Sequence, residues 1–277
     1  MPCKFADIQK KAAEVLNDDH QTKGYTIKSK QKTNWDGAVL TTACDVFAGK
    51  DGITTPGKVT WKFPKPFGIS GISIDKFEID KKGGMKLEAV ADSSLHKVKD
   101  LKLEFNSDLE NLAKITKGLT FTGIKDTQIK ADFKPLNVKH FTAEVTRSVA
   151  DLGTVGVKFS GAGVPDVALN VAKGPCFAAL TAGSGFKVFN VFGMYAVNDK
   201  LKVAATVTKG GDKSGAFTIG GSFAVQKGTS LKVKVDHDQN ASLTVKHEIS
   251  KGVSILAGAG YGVKKGDLSY GLQVSVE

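Results

Sequence analysis

From Tyr25 onward, apolar and polar residues alternate with a period of two, the pattern of β-strands whose successive side chains point to opposite faces. Within residues 230–249, Leu231, Val233 and Val235 alternate with charged residues, and the alternation resumes after the polar turn DHDQN. This stretch predicts a hairpin with one apolar face and one face rich in lysine. Such a hairpin suits either a soluble β-sandwich or a membrane barrel.

Similar runs recur along the chain, separated by turn signals such as KKGG, NDK, KGTS and KKGD. The clearest cover residues 59–63, 101–105, 129–133, 155–159, 201–207, 217–225, 253–261 and 268–276. Repeats of about 9 to 11 residues match the length that a tilted strand needs to cross a bilayer. The short connections favour a closed up-and-down barrel over a soluble all-β domain, which stays open as the alternative.

Before Gly24 the period is helical. Five apolar residues share one face there, which predicts a single short amphipathic helix: Phe5, Ile8, Ala12, Val15 and Leu16. No run of 18 or more apolar residues occurs, so no helix is expected to cross a bilayer. The opening residues contain no apolar run of the secretory type and combine acidic residues with no arginine, so we expect neither a secretory signal nor a typical transit peptide.

The formal net charge of +11 favours phosphate-bearing ligands or an anionic surface as partners. Arg147 is the sole arginine, which argues against nucleic acid as the primary partner because arginine is the side chain best suited to bidentate contacts with bases and phosphates. The three cysteines, Cys3, Cys44 and Cys176, have no CxxC spacing, so neither a disulfide framework nor a zinc module is predicted.

The polar phase of the predicted strands carries the candidate functional residues, which are lysines. In a closed barrel they would line water, raise the local concentration of anions and favour passage of ATP, ADP and phosphate. They are Lys28, Lys30, Lys58, Lys62, Lys86, Lys102, Lys130, Lys158, Lys202, Lys232, Lys234 and Lys246. No nucleophile or metalloprotease motif is present, and the glycines of residues 258–262 alternate inside a strand pattern, so neither an enzyme nor a cofactor is predicted.

Several segments resemble the eukaryotic mitochondrial porins, the voltage-dependent anion channels (VDAC). FADIQKKAAEV at residues 5–15 is similar to the helix that opens the family's sequences, and KGY at residues 23–25 is similar to its link into the first strand. KDLKLEF at residues 99–105 resembles the family's Gly-Leu-Lys strand, with Asp100 in place of the glycine. Residues 223–245 match the carboxy-terminal signature in part, with correct spacing.

The resemblance implies an all-β membrane barrel of about 19 strands, a number taken from the family and not counted from the pattern. It divides the chain into residues 1–24, an amphipathic helix in the lumen with a hinge at Gly24, and residues 25–277, the barrel. Lys10 and Lys23 would then face the permeating molecule. The function implied is a voltage-gated, weakly anion-selective diffusion channel of the mitochondrial outer membrane, without catalytic activity. The Asp100 substitution weakens any nucleotide role attached to the tripeptide.

Asp75, in ISIDKFEID, shares a phase with Phe77 and Ile79, and the family's membrane-facing glutamate matches its position. This makes Asp75 a candidate for a carboxylate that faces lipid. Ile72 and Ile74 lie on the opposite phase, however, so a bulge that turns Asp75 into the lumen is equally consistent with the sequence.

The expected partners are metabolite anions and nucleotides, membrane lipids, a homo-oligomer and cytosolic docking proteins. Two alternatives of other classes stay open. One is the protein-import pore of the same membrane, a related barrel that would have a longer amino-terminal extension and acidic patches in its lumen. The other is a soluble all-β binding protein, in which the apolar phase would cover a core.

Overall fold

The computed structural model describes residues 3–49, 52–150 and 153–277. Its strands form one continuous sheet in which each strand pairs with its neighbours along the chain. The strands are β1 Gly24–Lys32, β2 Val39–Gly49, β3 Gly52–Thr54, β4 Gly57–Phe63, β5 Ile72–Asp80, β6 Met85–Ala91, β7 Leu101–Asp108, β8 Thr116–Phe121, β9 Thr127–Lys134, β10 Asn137–Val149, β11 Gly153–Ser160, β12 Asp166–Lys173, β13 Cys176–Gly183, β14 Val188–Ala196, β15 Leu201–Lys209, β16 Phe217–Gln226, β17 Thr229–Asp236, β18 Asn240–Ser250, β19 Val253–Gly262 and β20 Asp267–Val276.

The twenty segments form 19 barrel strands, because β3 and β4 both pair with β2 and continue one another. Pro56 lies in the gap between them, where the missing proline N–H would interrupt a ladder. Its carbonyl still accepts a hydrogen bond from the Asp45 N–H at 2.9 Å. The strand therefore crosses the wall as one unit with a local break.

The barrel closes through a parallel pairing of β1 with β20, from Gly24 opposite Gly271 to Ser29 opposite Val276. All other pairings are antiparallel among the described residues. An odd number of alternating strands brings the first and the last into the same direction, so a parallel seam follows from the count. The predicted closed barrel is confirmed.

Alternation within each strand separates an apolar outer face from a polar inner face. On β18, Leu243 is 46% exposed and Val245 is also exposed, whereas Thr244 between them is 1% exposed. The same phase difference recurs around the wall, so large apolar side chains form an outer belt. This is the arrangement expected of a barrel whose outside contacts lipid.

The predicted amino-terminal helix is present and lies inside the barrel. It begins as a 3-10 turn, Phe5–Gln9, and continues as α1, Lys10–Asn17; we call the two together the luminal helix. The turn contacts β10 to β13, and α1 contacts β13 to β16. The remaining short helices are α2, Ser93–His96, and three 3-10 turns, Pro66–Gly68, Leu112–Lys114 and Gly211–Lys213. None of the helices in the described residues is long and apolar enough to cross a membrane.

Candidate pore lining and luminal helix

The strand register places the twelve strand lysines predicted above on the inner face. Lys232 and Lys234 on β17 share a phase with residues of β16 and β18 that face the luminal helix. Lys130 lies opposite Glu144 of β10. Glu144 points to the same side as Thr146, which contacts Cys3 inside the barrel, so Lys130 also points inward. Cross-strand partners share a face, so the same relationship extends around the whole wall.

Several of these lysines are paired with carboxylates. The Glu78 side chain on β5 is 8% exposed and lies 3.4 Å from Lys58, 3.3 Å from Lys76 and 3.7 Å from Lys86. On the neighbouring wall, Lys130 lies 3.0 Å from Glu104. The β4 to β9 wall is therefore a network of both charges, a feature that the sequence analysis missed because cross-strand partners depend on the register.

Asp75 faces the lumen and not lipid, which is the second of the two orientations that the sequence left open. The pairing of β5 with β6 shifts by one residue between Ile74 and Lys76, and its pairing with β4 shifts between Ile74 and Phe77, so Asp75 is the extra residue of a β-bulge. A bulge reverses the side to which the following residues point. The Asp75 carboxylate lies 3.0 Å from the inward Lys62 amine and also accepts a hydrogen bond from the Ser73 hydroxyl at 3.5 Å.

Lys232 and Lys246 contact the carboxyl end of the luminal helix and the residues that follow it. The Lys232 amine donates to the main-chain oxygens of Glu14 at 2.8 Å and Asp18 at 3.0 Å. The Lys246 amine donates to the Asp19 carboxylate at 3.2 Å. A cation at this end of a helix satisfies carbonyls that lack partners within the helix and opposes the negative end of its dipole.

The beginning of the luminal helix is attached to the opposite part of the wall. The Asn170 side-chain amide donates to the Ile8 carbonyl at 2.6 Å, and the Phe5 N–H donates to Glu144 at 3.4 Å. The Thr146 hydroxyl donates to the Cys3 carbonyl. Polar contacts therefore attach both ends of the luminal helix.

Between these attachments, the apolar face of α1 packs on the inner wall. Ala12, Val15 and Leu16 form a buried cluster with Phe177, Ala179 and Ala204. Burial of these side chains is consistent with the apolar face predicted from the sequence, although it covers wall residues and not lipid.

Two glycines of the wall, which have no side chain, leave space for the luminal helix. A Cβ added to Gly156 would lie 2.6 Å from Ile8, and one added to Gly220 would lie 2.7 Å from the Val233 carbonyl oxygen and 2.9 Å from Leu16. Both glycines therefore act by their small size, since neither has a positive φ.

The link from helix to barrel places His20 beside two lysines of β17. Burial, together with the positive charges of Lys234 and Lys232, lowers the pKa of His20 from 6.5 to about 4. Its Nδ1 lies 3.4 Å from the Ser242 hydroxyl. The imidazole is therefore neutral at pH 7, in agreement with a site already crowded with positive charge.

The link continues to the predicted hinge. Gly24 has a φ of +71°, and an added Cβ would collide with the Phe47 ring. Glycine is thus required at this position for two reasons, backbone conformation and space. It is also the first residue of β1. The structure shows the conformation of Gly24, and its motion as a hinge stays a prediction.

The two helix-side lysines that the sequence singled out are exposed within the barrel. The Lys10 amine lies 3.8 Å from Glu14, one turn further along α1. Lys23 lines a pocket of ≈ 360 Å³ together with His20, Lys234 and Lys265. Both side chains are available to a solute in the lumen, and contact with nucleotide stays a prediction.

Asp100 lies in the turn before β7 and has a φ of +60°. That left-handed conformation is one that glycine adopts at no steric cost, and Asp tolerates it better than most residues. The conformation gives a local reason for the glycine that the resembling family has here. Lys102, two residues later, points into the lumen opposite Thr120.

A closed barrel with an apolar outer belt and a charged, water-accessible interior defines the class as pore-forming membrane β-barrels. The family model for eukaryotic porins matches residues 1–269, and the chain belongs to that family. No curated protein sequence matches the chain.

Two solved structures match most of the chain. A double mutant of the Rh. blastica porin has 10% sequence identity and a TM-score of 0.50, covering 93% of this chain and 96% of that chain. A triple mutant of the Rhodopseudomonas blastica porin has the same identity and coverage, with a TM-score of 0.49. At this identity the likeness of the first concerns the fold alone.

Proposed function

We propose that the protein is a voltage-gated, weakly anion-selective diffusion channel of the mitochondrial outer membrane that passes ions and anionic metabolites such as ATP, ADP and phosphate. Membership of the eukaryotic porin family supports a pore. The charges of the inner wall support a preference for anions and explain why that preference is weak.

The observation that carries the proposal is a set of inward lysines without carboxylate partners. Lys102, Lys202 and Lys234 have no carboxylate oxygen within 4.0 Å among the described residues. Lys28 contacts the neutral Gln273 side chain at 2.9 Å. These amines raise the local concentration of anions, whereas the charges of the three lysines around Glu78 are partly offset by that carboxylate, so selection is weak.

Gating is assigned to the luminal helix and its charged attachments. A charge that crosses the full membrane potential contributes about 2.3 kcal/mol per 100 mV, so displacement of a few charges suffices to offset hydrogen bonds of the kind made by Lys232. The attachments lie at the two ends of the helix, with an apolar contact between them. Voltage would act on these contacts to change the open cross-section.

The test is a planar-bilayer recording of the full chain, refolded in detergent, under a salt gradient and at voltages of both signs. The decisive variant replaces Lys102, Lys202 and Lys234 with glutamine. The matched control is Lys173→Gln, since Lys173 ends β12 on the outward phase of Val171.

Discrete large steps, an anion preference and closure at either polarity are expected for the native chain. The triple variant should shift the reversal potential toward cation preference, and the control should leave it unchanged. Cation preference of the native chain with block by presequence peptides would instead favour the import pore. Failure to insert, with solubility after detergent removal, would contradict the channel.

A further inference from the structure

An apolar groove of ≈ 350 Å³ crosses the outer face of strands β5 to β9. The small side chains of Ala89 and Ala91 on β6 form the floor of the groove, and the larger side chains of Leu103, Phe105 and Phe133 form its sides. These residues point outward. Along each strand they alternate with inward residues and share the phase of the exposed apolar residues of the outer belt. The groove therefore opens toward the bilayer and not into the lumen.

One lysine, Lys117 of β8, points into this groove. It is exposed and lies directly between Phe105 and Phe133 in the cross-strand register. In the part of the chain that the structure describes, its amine has no carboxylate within 4.0 Å. By contrast, the twelve strand lysines of the candidate site all point inward.

The position of Lys117 along its strand makes an outward charge tolerable. It is the second residue of β8, which begins at Thr116, so it lies close to one end of the strand. A lysine on the lipid face costs about 2 to 4 kcal/mol at the bilayer midplane but about 0 to 1 near the interface. Its aliphatic part can lie along apolar surface while the amine extends to the headgroup region.

We propose that this groove is a binding site for an anionic phospholipid, with an acyl chain over Ala89 and Ala91 and the headgroup phosphate at the Lys117 amine. Charge complementarity selects the lipid, because an unpaired cation within an otherwise apolar groove matches a molecule with an anionic head and an apolar tail. Two flanking aromatic rings limit the directions that the amine can take.

The test uses the full chain in phosphatidylcholine vesicles containing a minor share of phosphatidylglycerol, followed by release in mild detergent and native mass spectrometry. The readout is the number of each lipid retained per protein. Lys117→Gln removes the charge, and its matched control is Lys173→Gln, on the outward phase of β12. Ala89→Phe fills the groove, and its control is Ala257→Phe, at an exposed outward alanine of β19.

The native chain should retain one phosphatidylglycerol in preference to phosphatidylcholine. Lys117→Gln should lower this retention about five-fold, the effect of one lysine near an anionic headgroup, and Ala89→Phe should lower it further. Both controls should retain the lipid. If Ala89→Phe does not insert, Lys117→Gln decides alone, and its unchanged single-channel conductance establishes a folded barrel.

Equal retention of the two lipids by the native chain would overturn the proposal, as would retention unaffected by Lys117→Gln. An equal loss in Lys173→Gln would attribute the effect to overall charge and overturn the specific site. Lipid-free dimers that dissociate on Ala89→Phe would assign the groove to a second copy of the chain and also overturn it.

Discussion

The amine of Lys232 lies 2.8 Å from the main-chain oxygen of Glu14, across 218 positions of sequence. The contact joins the barrel wall to the last turn of α1, where carbonyls lack partners within the helix. The Lys232 side chain is 12% exposed, so contact with the wall and the helix covers most of it. A single wall residue thereby contributes strongly to the position of the luminal helix.

Lys232→Met should loosen the carboxyl end of that helix. Methionine keeps much of the side-chain volume but donates no hydrogen bond, so the docked helix should lose about 1 to 2 kcal/mol. Hydrogen exchange of the backbone amides in residues 10–17 should accelerate accordingly in detergent micelles. Lys102→Met, at an inward lysine with no hydrogen bond to the helix among the described residues, should leave the exchange unchanged. Equal exchange in the two variants would contradict the assignment.

Gly156→Val should displace the beginning of the luminal helix. The new Cβ would lie 2.6 Å from Ile8 and 3.0 Å from Phe5, and overpacking of this kind costs about 1 to 3 kcal/mol. Gly193→Val is the matched control, because a Cβ there meets nothing within 4 Å. Amide exchange in residues 5–9 should rise in the first variant alone. A rise in both would mean that valine disturbs the strands themselves and not the helix contact.

The alternation of residues was sufficient to predict the barrel and the faces of its strands. Leu243 and Thr244 illustrate why: in a wall one sheet thick, each residue faces either outside or lumen, so a period of two fixes its side. The amphipathic period likewise predicted the apolar face of the helix. Its place in the lumen came from the family resemblance, since an apolar stripe does not by itself distinguish a wall from a membrane surface.

Features that depend on the pairing of strands were beyond the sequence. The bulge at Asp75 adds one residue and reverses a side chain, and the pattern alone allowed both orientations. The three lysines around Glu78 come from three strands, so their convergence requires the register. Lys117 was missed because it is a charged residue in the phase of Leu119 and Phe121, where the alternation leads one to expect an apolar side chain.

Acidification should weaken docking of the link between helix and barrel through His20. Its pKa is about 4 when docked, against about 6.5 for an unperturbed histidine, so the undocked state binds more protons between these values. The contribution of His20 to docking is thus fully present above pH 6.5 and is lost as the pH falls toward 4. Below pH 4, protonation of His20 weakens docking no further.

The charges that face His20 are those of Lys232 and Lys234, which disfavour the imidazolium, and that of Asp19, which favours it. NMR titration of the histidine rings, together with the amide shifts of residues 10–17, measures both events in one sample. His20→Gln should remove the dependence in this window. A native ring that titrates near pH 6.5 with the helix in place would contradict the prediction.

Glu78→Gln should increase the anion selectivity of the pore. Glu78 is close to three lysine amines, and its removal leaves the positive charges of Lys58, Lys76 and Lys86 on the inner wall without this shared counterion. Glutamine preserves the shape and still accepts a hydrogen bond, so the barrel should close normally. The reversal potential under a salt gradient should shift toward the anion value, and Asp238→Asn, at an exposed turn, should have little effect. An unchanged reversal potential with normal conductance would mean that this cluster lies outside the path of the ions.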